Sequence, residues 1–270
     1  MRTRILLCLG VAALAGAPLA AHDFWLSATP WAPAAGARVT VLANVGDHFP
    51  AGTDYTAPER VEQWRVLGPG GEVKVTRDFR RDGNSLAADV TLPSTGAYVA
   101  MVTIAARTAE MKGPSFTKYL QEEGLDAVIA ARQAAGDAEK AAKERYARYA
   151  KVAVRNGSGS GAHLTRPVGL KAEFVPTTDP TSLHAGQPLT LQLLADGKPV
   201  AGAAITALGS GEGARLTGRT DGHGHVTLTL DREGAWLIRT VHMVTGAQAG
   251  APEIDWDSYW VTLSFHTATH

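Results

Sequence analysis

"GAYVAMVTI", residues 96–104, is the stretch that decides the fold class of this chain. Side chains of a β-strand alternate between the two faces of a sheet. One face of this stretch carries Tyr98, Ala100, Val102 and Ile104, and the other carries Val99, Met101 and Thr103. Both faces are mostly apolar, so the pattern predicts a strand that is buried on both sides in the middle of a sheet.

Shorter apolar-alternating runs precede and follow this strand along the chain. Gly, Pro, Asp and Asn separate these runs at the spacing of about 8–12 residues that is typical of β-sandwiches. The sequence therefore predicts a mainly β protein with two Ig-like or transthyretin-like β-sandwich domains. We place the N-terminal sandwich at residues 22–107 and the C-terminal Ig-like sandwich at residues 166–270.

The composition changes between the two predicted sandwiches. Residues 108–155 are rich in Ala, Glu, Lys and Arg, which favour helix. Pro114 suits the first turn of a helix, and Gly124 and Gly136 suit breaks between helices. This segment therefore predicts an α-helical insertion of two or three pieces. Residues 156–165, which are rich in Gly and Ser, predict a flexible linker before the second sandwich.

The first 21 residues have the features of a secretory signal peptide. Arg2 and Arg4 precede an apolar run that is too short to span a bilayer, and small residues lead to a cleavage site after Ala21. We therefore expect a periplasmic protein with no membrane span once residues 1–21 are removed. The single cysteine, Cys8, lies within this segment, so we expect a mature chain without disulfides or thiolate ligands.

Three histidines are the predicted ligands of a transition metal ion, which would be nickel, cobalt, copper or iron. Cleavage after Ala21 makes His22 the first mature residue, where its α-amine and its imidazole Nδ1 can close one chelate ring on an ion. His48 lies in a Gly- and Pro-bounded loop after a predicted strand. His242 lies near the end of an apolar strand, from which it could face a neighbouring domain.

Other residues stay open as contributors to this site. His223 and His225 lie two apart and share one face if their segment is a strand, but the sequence TDGHG also suits a plain hairpin turn. Asp23 and Asp47 are the carboxylates nearest in sequence that could orient an imidazole. The sequence contains no motif of a phosphate-binding loop, a serine hydrolase or a zinc protease, so we predict no catalytic residue and no enzyme.

Several motifs together resemble the DUF4198 family of exported bacterial proteins. They are AHDFWL at the expected cleavage site, GDHFP around His48, RPVGLKAEFVPTTDP, DGKPVAGA followed by TDGHGH, GAWLIRTVHMV and DWDSYWVTLSF. The resemblance covers essentially the whole mature chain, including the helical insertion. It implies an extracytoplasmic metal-handling protein of the kind labelled as a periplasmic component of nickel or cobalt uptake. The implied partners, besides the metal ion, are an outer-membrane receptor or an inner-membrane transporter.

Two other functions fit the same sequence. The first is a non-metal interaction module of the cell envelope, in which the helical insertion forms the contact surface. The second is a copper-dependent oxidase that begins at a mature histidine, for which Trp25, Trp31 and Trp260 are the aromatic side chains available near the metal. The balance of 26 basic and 26 acidic residues, with no polybasic stretch, disfavours nucleic acid as a partner.

Overall fold

A computed structural model describes residues 22–34, 36–211 and 213–268. The first part of the described chain contains strands β1 Asp23–Thr29, β2 Arg38–Gly46, β3 Val61–Gly68, β4 Gly71–Val73, β5 Arg80–Asp82, β6 Ser85–Thr91 and β7 Gly96–Met111. Helices α1 Gly113–Glu122 and α2 Asp126–Ala134 follow. The remainder contains strands β8 Ala142–Asn156, β9 Ala172–Pro176, β10 Pro188–Ala195, β11 Lys198–Pro199, β12 Ala204–Gly209, β13 Arg215–Arg219, β14 His225–Thr229, β15 Ala235–Thr245 and β16 Trp256–His266.

The largest sheet has eight strands in the order β13–β12–β15–β16–β8–β7–β3–β4, and we call it the central sheet. Its neighbours are antiparallel except β16 and β8, which run parallel. Strand β7 lies inside this sheet, and its alternate residues enter two different hydrophobic cores. The predicted two-sided strand and the mainly β fold class are therefore confirmed.

Two smaller sheets cover opposite faces of the central sheet. The sheet β1–β2–β6–β5 packs on what we call the upper face, where Thr262 Oγ1 of β16 donates to Phe24 O of β1 at 2.9 Å. Strands β9, β10, β11 and β14 pack on the lower face, where Lys151 of β8 pairs with Glu173 of β9 at 2.8 Å. Each small sheet encloses one core with the central sheet, so the two sandwich-like layers share that sheet.

The two helices cover a third hydrophobic cluster on the upper face of the central sheet. Phe116, Tyr119 and Leu120 of α1 are buried there, and the Tyr119 ring stacks on Trp260 of β16 with ring centroids 5.9 Å apart. The turn after α1 contains Gly124 with a positive φ of 65°, a conformation that glycine adopts at little cost. Among the described residues, no helix is long and apolar enough to cross a membrane.

The helix prediction is wrong in the last part of residues 108–155, because Ala142–Asn156 forms strand β8. Its Ala, Glu, Lys and Arg content favours helix when considered alone. The residues nevertheless alternate with a period of two, since Val152 enters the upper core and Ala153 the lower core. Pairing with β7 on one side and β16 on the other outweighs the local preference.

The segment predicted as a flexible linker, residues 156–165, contacts the central sheet at several points. Asn156 Nδ2 donates to Ser94 O at 2.9 Å, and Ala97 N donates to Ser160 O at 3.1 Å. Leu164, in the short 3₁₀ helix Ala162–Thr165, is buried in the lower core. These contacts fix the connection between β8 and β9 against the sheet.

Candidate functional site

His22 is the last residue before β1, and it lies opposite the residue that follows β2. The register of the antiparallel pair β1–β2 ends with Asp23 opposite Gly46, so the next cross-strand neighbours are His22 and Asp47. The His22 Nδ1 and the Asp47 Oδ1 are 2.9 Å apart. An ionised carboxylate can only accept a hydrogen bond, so His22 Nδ1–H is the donor.

Asp54 faces the other nitrogen of the same imidazole, because the chain after β2 folds back. The amides of Thr53 and Asp54 donate to Val45 O at 2.8 and 3.0 Å. A Cβ on Gly46 would lie 2.7 Å from Thr53 Oγ1, so glycine permits this close return. Asp54 Oδ2 lies 3.5 Å from His22 Nε2. Each imidazole nitrogen therefore faces a carboxylate.

We call His22, Asp47 and Asp54 the His22 cluster, and it is open to solvent. The exposed fractions of the three side chains are 32%, 55% and 53%. Exposed charged groups keep much of their hydration, so contacts between them contribute little to stability. An ion can reach all three side chains without unfolding the strands that carry them.

Two arginines of the central sheet hold the beginning of β1 from beneath. Arg148 Nη2 donates to His22 O at 3.1 Å. Arg239 Nε donates to Asp23 Oδ1 at 2.6 Å, and Arg239 Nη2 donates to Glu123 Oε1 at 2.7 Å. Burial raises the pKa of Asp23 to about 6, although the Arg239 guanidinium acts in the opposite direction. The Asp23 carboxylate therefore serves the junction of β1, α1 and β15, and Asp47 is the carboxylate that orients His22.

His48 is next to Asp47 in the chain, and His242 lies on the other face of the central sheet. His48 is exposed on the loop next to Asp47. His242 lies on β15 opposite Tyr259, with ring centroids 6.0 Å apart, and Tyr259 belongs to the lower core. Burial lowers the pKa of His242. Within the described ranges of the chain, no group of three or more His, Cys, Asp or Glu side chains is arranged to hold a metal ion.

His223 and His225 lie at a turn that a carboxylate stabilises. Asp221 Oδ1 accepts hydrogen bonds from the backbone amides of both histidines, at 2.8 and 2.9 Å. These two bonds lower the pKa of Asp221. The segment is a turn, as one of the two interpretations of the sequence predicted, but it joins β13 of the central sheet to β14 of the sheet on the lower face and so does not close a hairpin.

The tryptophans considered for a copper oxidase do not form an exposed aromatic surface. Trp25 and Trp260 are both buried, and Trp260 stacks on Tyr119. Trp31 is half-buried and lies near His266, with ring centroids 6.2 Å apart. Trp260 and Trp31 pack against clusters on the upper face, and Trp25 lies against Phe49 with ring centroids 6.1 Å apart.

Three residues that shape the site were not predicted from the sequence, namely Asp54, Arg148 and Arg239. Asp54 follows the Gly- and Pro-containing loop around His48, and a tight return of that loop was the available signal. The two arginines come from strands that are distant in sequence, so no local pattern identifies them.

Comparison with solved structures gives distant matches of low overall similarity. The D0–D1 domain of intimin is 15% identical, with 92% of this chain and 98% of that chain covered and a TM-score of 0.22. A DUF4785 family protein from Legionella pneumophila is 10% identical, with 79% and 50% covered and a TM-score of 0.24. The Escherichia coli adhesin FdeC is 13% identical, with 89% and 62% covered and a TM-score of 0.22. Scores this low carry no argument about function.

Family membership rests on the sequence. Comparison with the curated proteins gave no match. A family model described as "Domain of unknown function (DUF4198)" matches residues 19–244, which include the His22 cluster and most of the central sheet. The chain belongs to the DUF4198 family.

Proposed function

We propose that this chain is an exported, periplasmic protein that binds a transition metal ion and takes part in metal uptake or delivery. His22 is the principal ligand. The observation that carries the proposal is the position of the His22 imidazole between two half-exposed carboxylates, 2.9 Å from Asp47 and 3.5 Å from Asp54. Of the ligands predicted from the sequence, His22 is therefore kept, and Asp54, which follows the loop around His48, takes the place of His242.

Asp47 prepares the imidazole for an ion. Because Nδ1–H donates to Asp47, the neutral imidazole carries its lone pair on Nε2. Histidines that bind metals commonly donate their other ring N–H to a carboxylate, which fixes the orientation of the ring and increases its basicity. Asp47 supplies this contact, and the Arg148 bond to His22 O holds the backbone in place.

The distance between His22 Nε2 and Asp54 Oδ2 fits two ligands of one ion. Ligand atoms that lie about 2.0–2.1 Å from a tetrahedral ion are about 3.3 Å from each other. The observed distance is 3.5 Å, so only a small movement of an exposed side chain is needed. An imidazole nitrogen and a carboxylate oxygen are ligands that divalent nickel, cobalt, copper and iron accept.

Two further groups are candidate ligands. His48 lies on the exposed loop beside Asp47. Cleavage after Ala21 would also provide the α-amine of His22, which forms a chelate only if Asp47 releases Nδ1. Few protein ligands and an open site favour exchange of the ion over permanent storage, as delivery to a receptor or transporter requires.

The test is a calorimetric titration of exported protein whose amino terminus is established by intact mass. Ni(II), Co(II) and Cu(II) are titrated separately. We expect one ion per chain, and we expect His22→Ala and Asp54→Asn each to weaken binding by about tenfold or more. His242→Gln is the matched control, because His242 lies on the opposite face of the sheet and its replacement should leave binding unchanged.

A second protein with one extra residue before His22 separates the two binding modes. Binding through Nε2 and Asp54 survives the added residue, whereas a chelate through the α-amine is weakened. Equal affinity of wild type and His22→Ala overturns the proposal. That result favours the alternative of a non-metal interaction module of the cell envelope, with which the Ig-like layers are compatible.

A further inference from the structure

Strand β13 is the outer strand at one end of the central sheet, and its outer edge is open. Among the described residues, it pairs only with β12. Ala214 O accepts from Gly209 N, and Thr220 N donates to Ala203 O, so the even-numbered residues bond inward. In an antiparallel ladder the alternate residues direct their N–H and C=O groups away from that partner. The backbone of Thr217 therefore faces the open edge.

The two faces of β13 differ in cover and in charge. Gly218 faces the sheet on the lower face, where a Cβ would lie 2.9 Å from Val226 Cγ2. Arg215, Thr217 and Arg219 share the upper face and are all exposed. They line a cleft of about 410 Å³ between this edge and the end of α1. The open edge thus presents a hydroxyl between two guanidinium groups on one side.

We propose that β13 binds an extended, acidic segment of a partner protein by strand addition. Strand addition uses backbone hydrogen bonds for affinity and alternate side chains for specificity. The backbone of Thr217 supplies the hydrogen bonds, and the side chains of Arg215 and Arg219 supply the specificity. A partner strand with acidic side chains at alternate positions places them over the two guanidinium groups, in the cleft.

The surroundings of the two arginines support an acidic partner. Arg219 Nη2 already contacts the Asp126 carboxylate of α2, which shows how a carboxylate occupies this place. Within the described part of the chain, Arg215 has no ion pair. Glu122 and Glu123 also line the cleft, but Glu122 pairs with Lys118 at 3.6 Å and Glu123 is bonded to Arg239. The side chain at position 215 is therefore the available cation, and an acidic partner competes with Asp126 for Arg219.

The same charges disfavour pairing between two copies of this chain. Antiparallel self-pairing about Thr217 would place Arg215 of one copy opposite Arg219 of the other. Like charges directly opposite each other across a strand pair are destabilising. Charged residues on an edge strand are a common protection against such association. The charges on β13 therefore disfavour pairing with a second copy of this strand and favour pairing with an acidic segment.

The experiment measures binding of two short fluorescent peptides by anisotropy at low ionic strength. In one peptide glutamate alternates with valine, and in the other lysine replaces glutamate. We expect the glutamate peptide to bind and the lysine peptide to bind at least about tenfold more weakly. Arg215→Glu should weaken binding of the glutamate peptide by about tenfold, and Asp126→Asn should strengthen it because the carboxylate that competes for Arg219 is removed.

A proline at the outward-facing position tests the role of the backbone. Thr217→Pro removes an N–H that points away from β12, so the central sheet keeps its hydrogen bonds. We expect this variant to lose peptide binding, whereas Thr217→Val keeps it. Circular dichroism melting verifies that both variants fold. Equal binding of the two peptides, or unchanged binding by folded Thr217→Pro, overturns the proposal. Dimerisation in light scattering that Arg215→Glu abolishes would contradict it in favour of a second copy.

Discussion

The Lys151–Glu173 pair and the His22 cluster both join basic and acidic side chains, but their surroundings differ. The Lys151 and Glu173 side chains are only 3% and 2% exposed, and their charged atoms are 2.8 Å apart. Glu173 also accepts hydrogen bonds from the amides of Val168 and Gly169. The His22 side chain, in contrast, is 32% exposed, and both of its carboxylate partners are more exposed still.

The difference separates a contact that maintains the fold from one that can exchange its partners. A buried charge must keep every partner, because an unpaired charge in the interior is strongly destabilising. Burial lowers the pKa of Lys151, and the Glu173 carboxylate opposes this effect. In the His22 cluster, water can hydrate the imidazole and both carboxylates when they separate, because all three side chains reach solvent. The buried pair is therefore part of the fold, whereas the exposed cluster is where we propose that an ion binds.

The largest expected effect is on stability and comes from the buried pair. Lys151→Ala leaves the Glu173 carboxylate without its cation and should lower the free energy of unfolding by about 3–5 kcal/mol. The matched control is Lys171→Ala, since the Lys171–Asp196 pair has a similar distance of 2.9 Å but is exposed. We expect this control to change stability by less than about 1 kcal/mol in urea denaturation. Equal losses of unfolding free energy in the two variants would show that burial does not distinguish the two ion pairs.

The next effect is on metal affinity. Asp47→Asn cannot hold the His22 imidazole with a carboxylate, so we expect the affinity for Ni(II) or Cu(II) to fall by about 10–100-fold. Asp196→Asn removes an exposed carboxylate of a distant hairpin and serves as control. Calorimetric titration of both variants measures the effect. An Asp47→Asn protein with wild-type affinity would show that this carboxylate does not prepare the ring.

A smaller effect on stability is expected at His22 itself. His22→Ala removes only exposed contacts, and the backbone carbonyl that accepts from Arg148 remains. The free energy of unfolding should therefore change by less than about 1 kcal/mol, while metal binding is weakened by about tenfold or more. Urea denaturation without metal tests the first part. A loss comparable to that of Lys151→Ala would mean that the cluster is structural.

The smallest effect concerns the dependence of stability on pH. Burial lowers the pKa of His242 below its ordinary value of 6.5, so the unfolded chain takes up a proton first as pH falls. His242 therefore contributes a decrease in the free energy of unfolding as pH falls below about 6.5, opposite in sign to the contribution of Asp23, whose pKa is raised. His242→Gln should remove this contribution, so the variant should lose less stability than the wild type as pH falls, measured by urea denaturation over a series of pH values. Identical slopes would contradict the burial of this imidazole in the lower face.

Strands β7 and β8 show how far the sequence specifies the fold. The apolar faces of β7 identify it as a two-sided strand because both patterns are local. Strand β8 carries Arg145, Arg148 and Lys151, which the sequence pattern assigns to a solvated helix. Their partners come from distant segments, as with Asp257 for Arg145 and Glu173 for Lys151. A local pattern contains no information about such partners, so the helix prediction failed there.

The candidate site likewise combines residues that a local sequence pattern identifies with residues that only the three-dimensional structure brings together. His22 was predicted as a ligand because it precedes a strand at an expected cleavage site, and its contact with Asp47 follows from the register of one strand pair. His242 was predicted as a further ligand because it lies near the end of an apolar strand. The side of the central sheet on which the His242 side chain lies depends on how the three sheets pack, and the sequence does not reveal that packing. Asp54 depends on the return of a loop, which also requires three-dimensional structure.

The most direct test of metal binding at His22 is an anomalous-scattering map from crystals of exported, processed protein loaded with Co(II) or Cu(II). We expect one peak about 2.0–2.2 Å from His22 Nε2, marking an ion that an oxygen of Asp54 also binds, and we expect Asp47 to remain bonded to Nδ1. A peak at His242, or no peak within reach of His22 in fully loaded protein, would contradict the account.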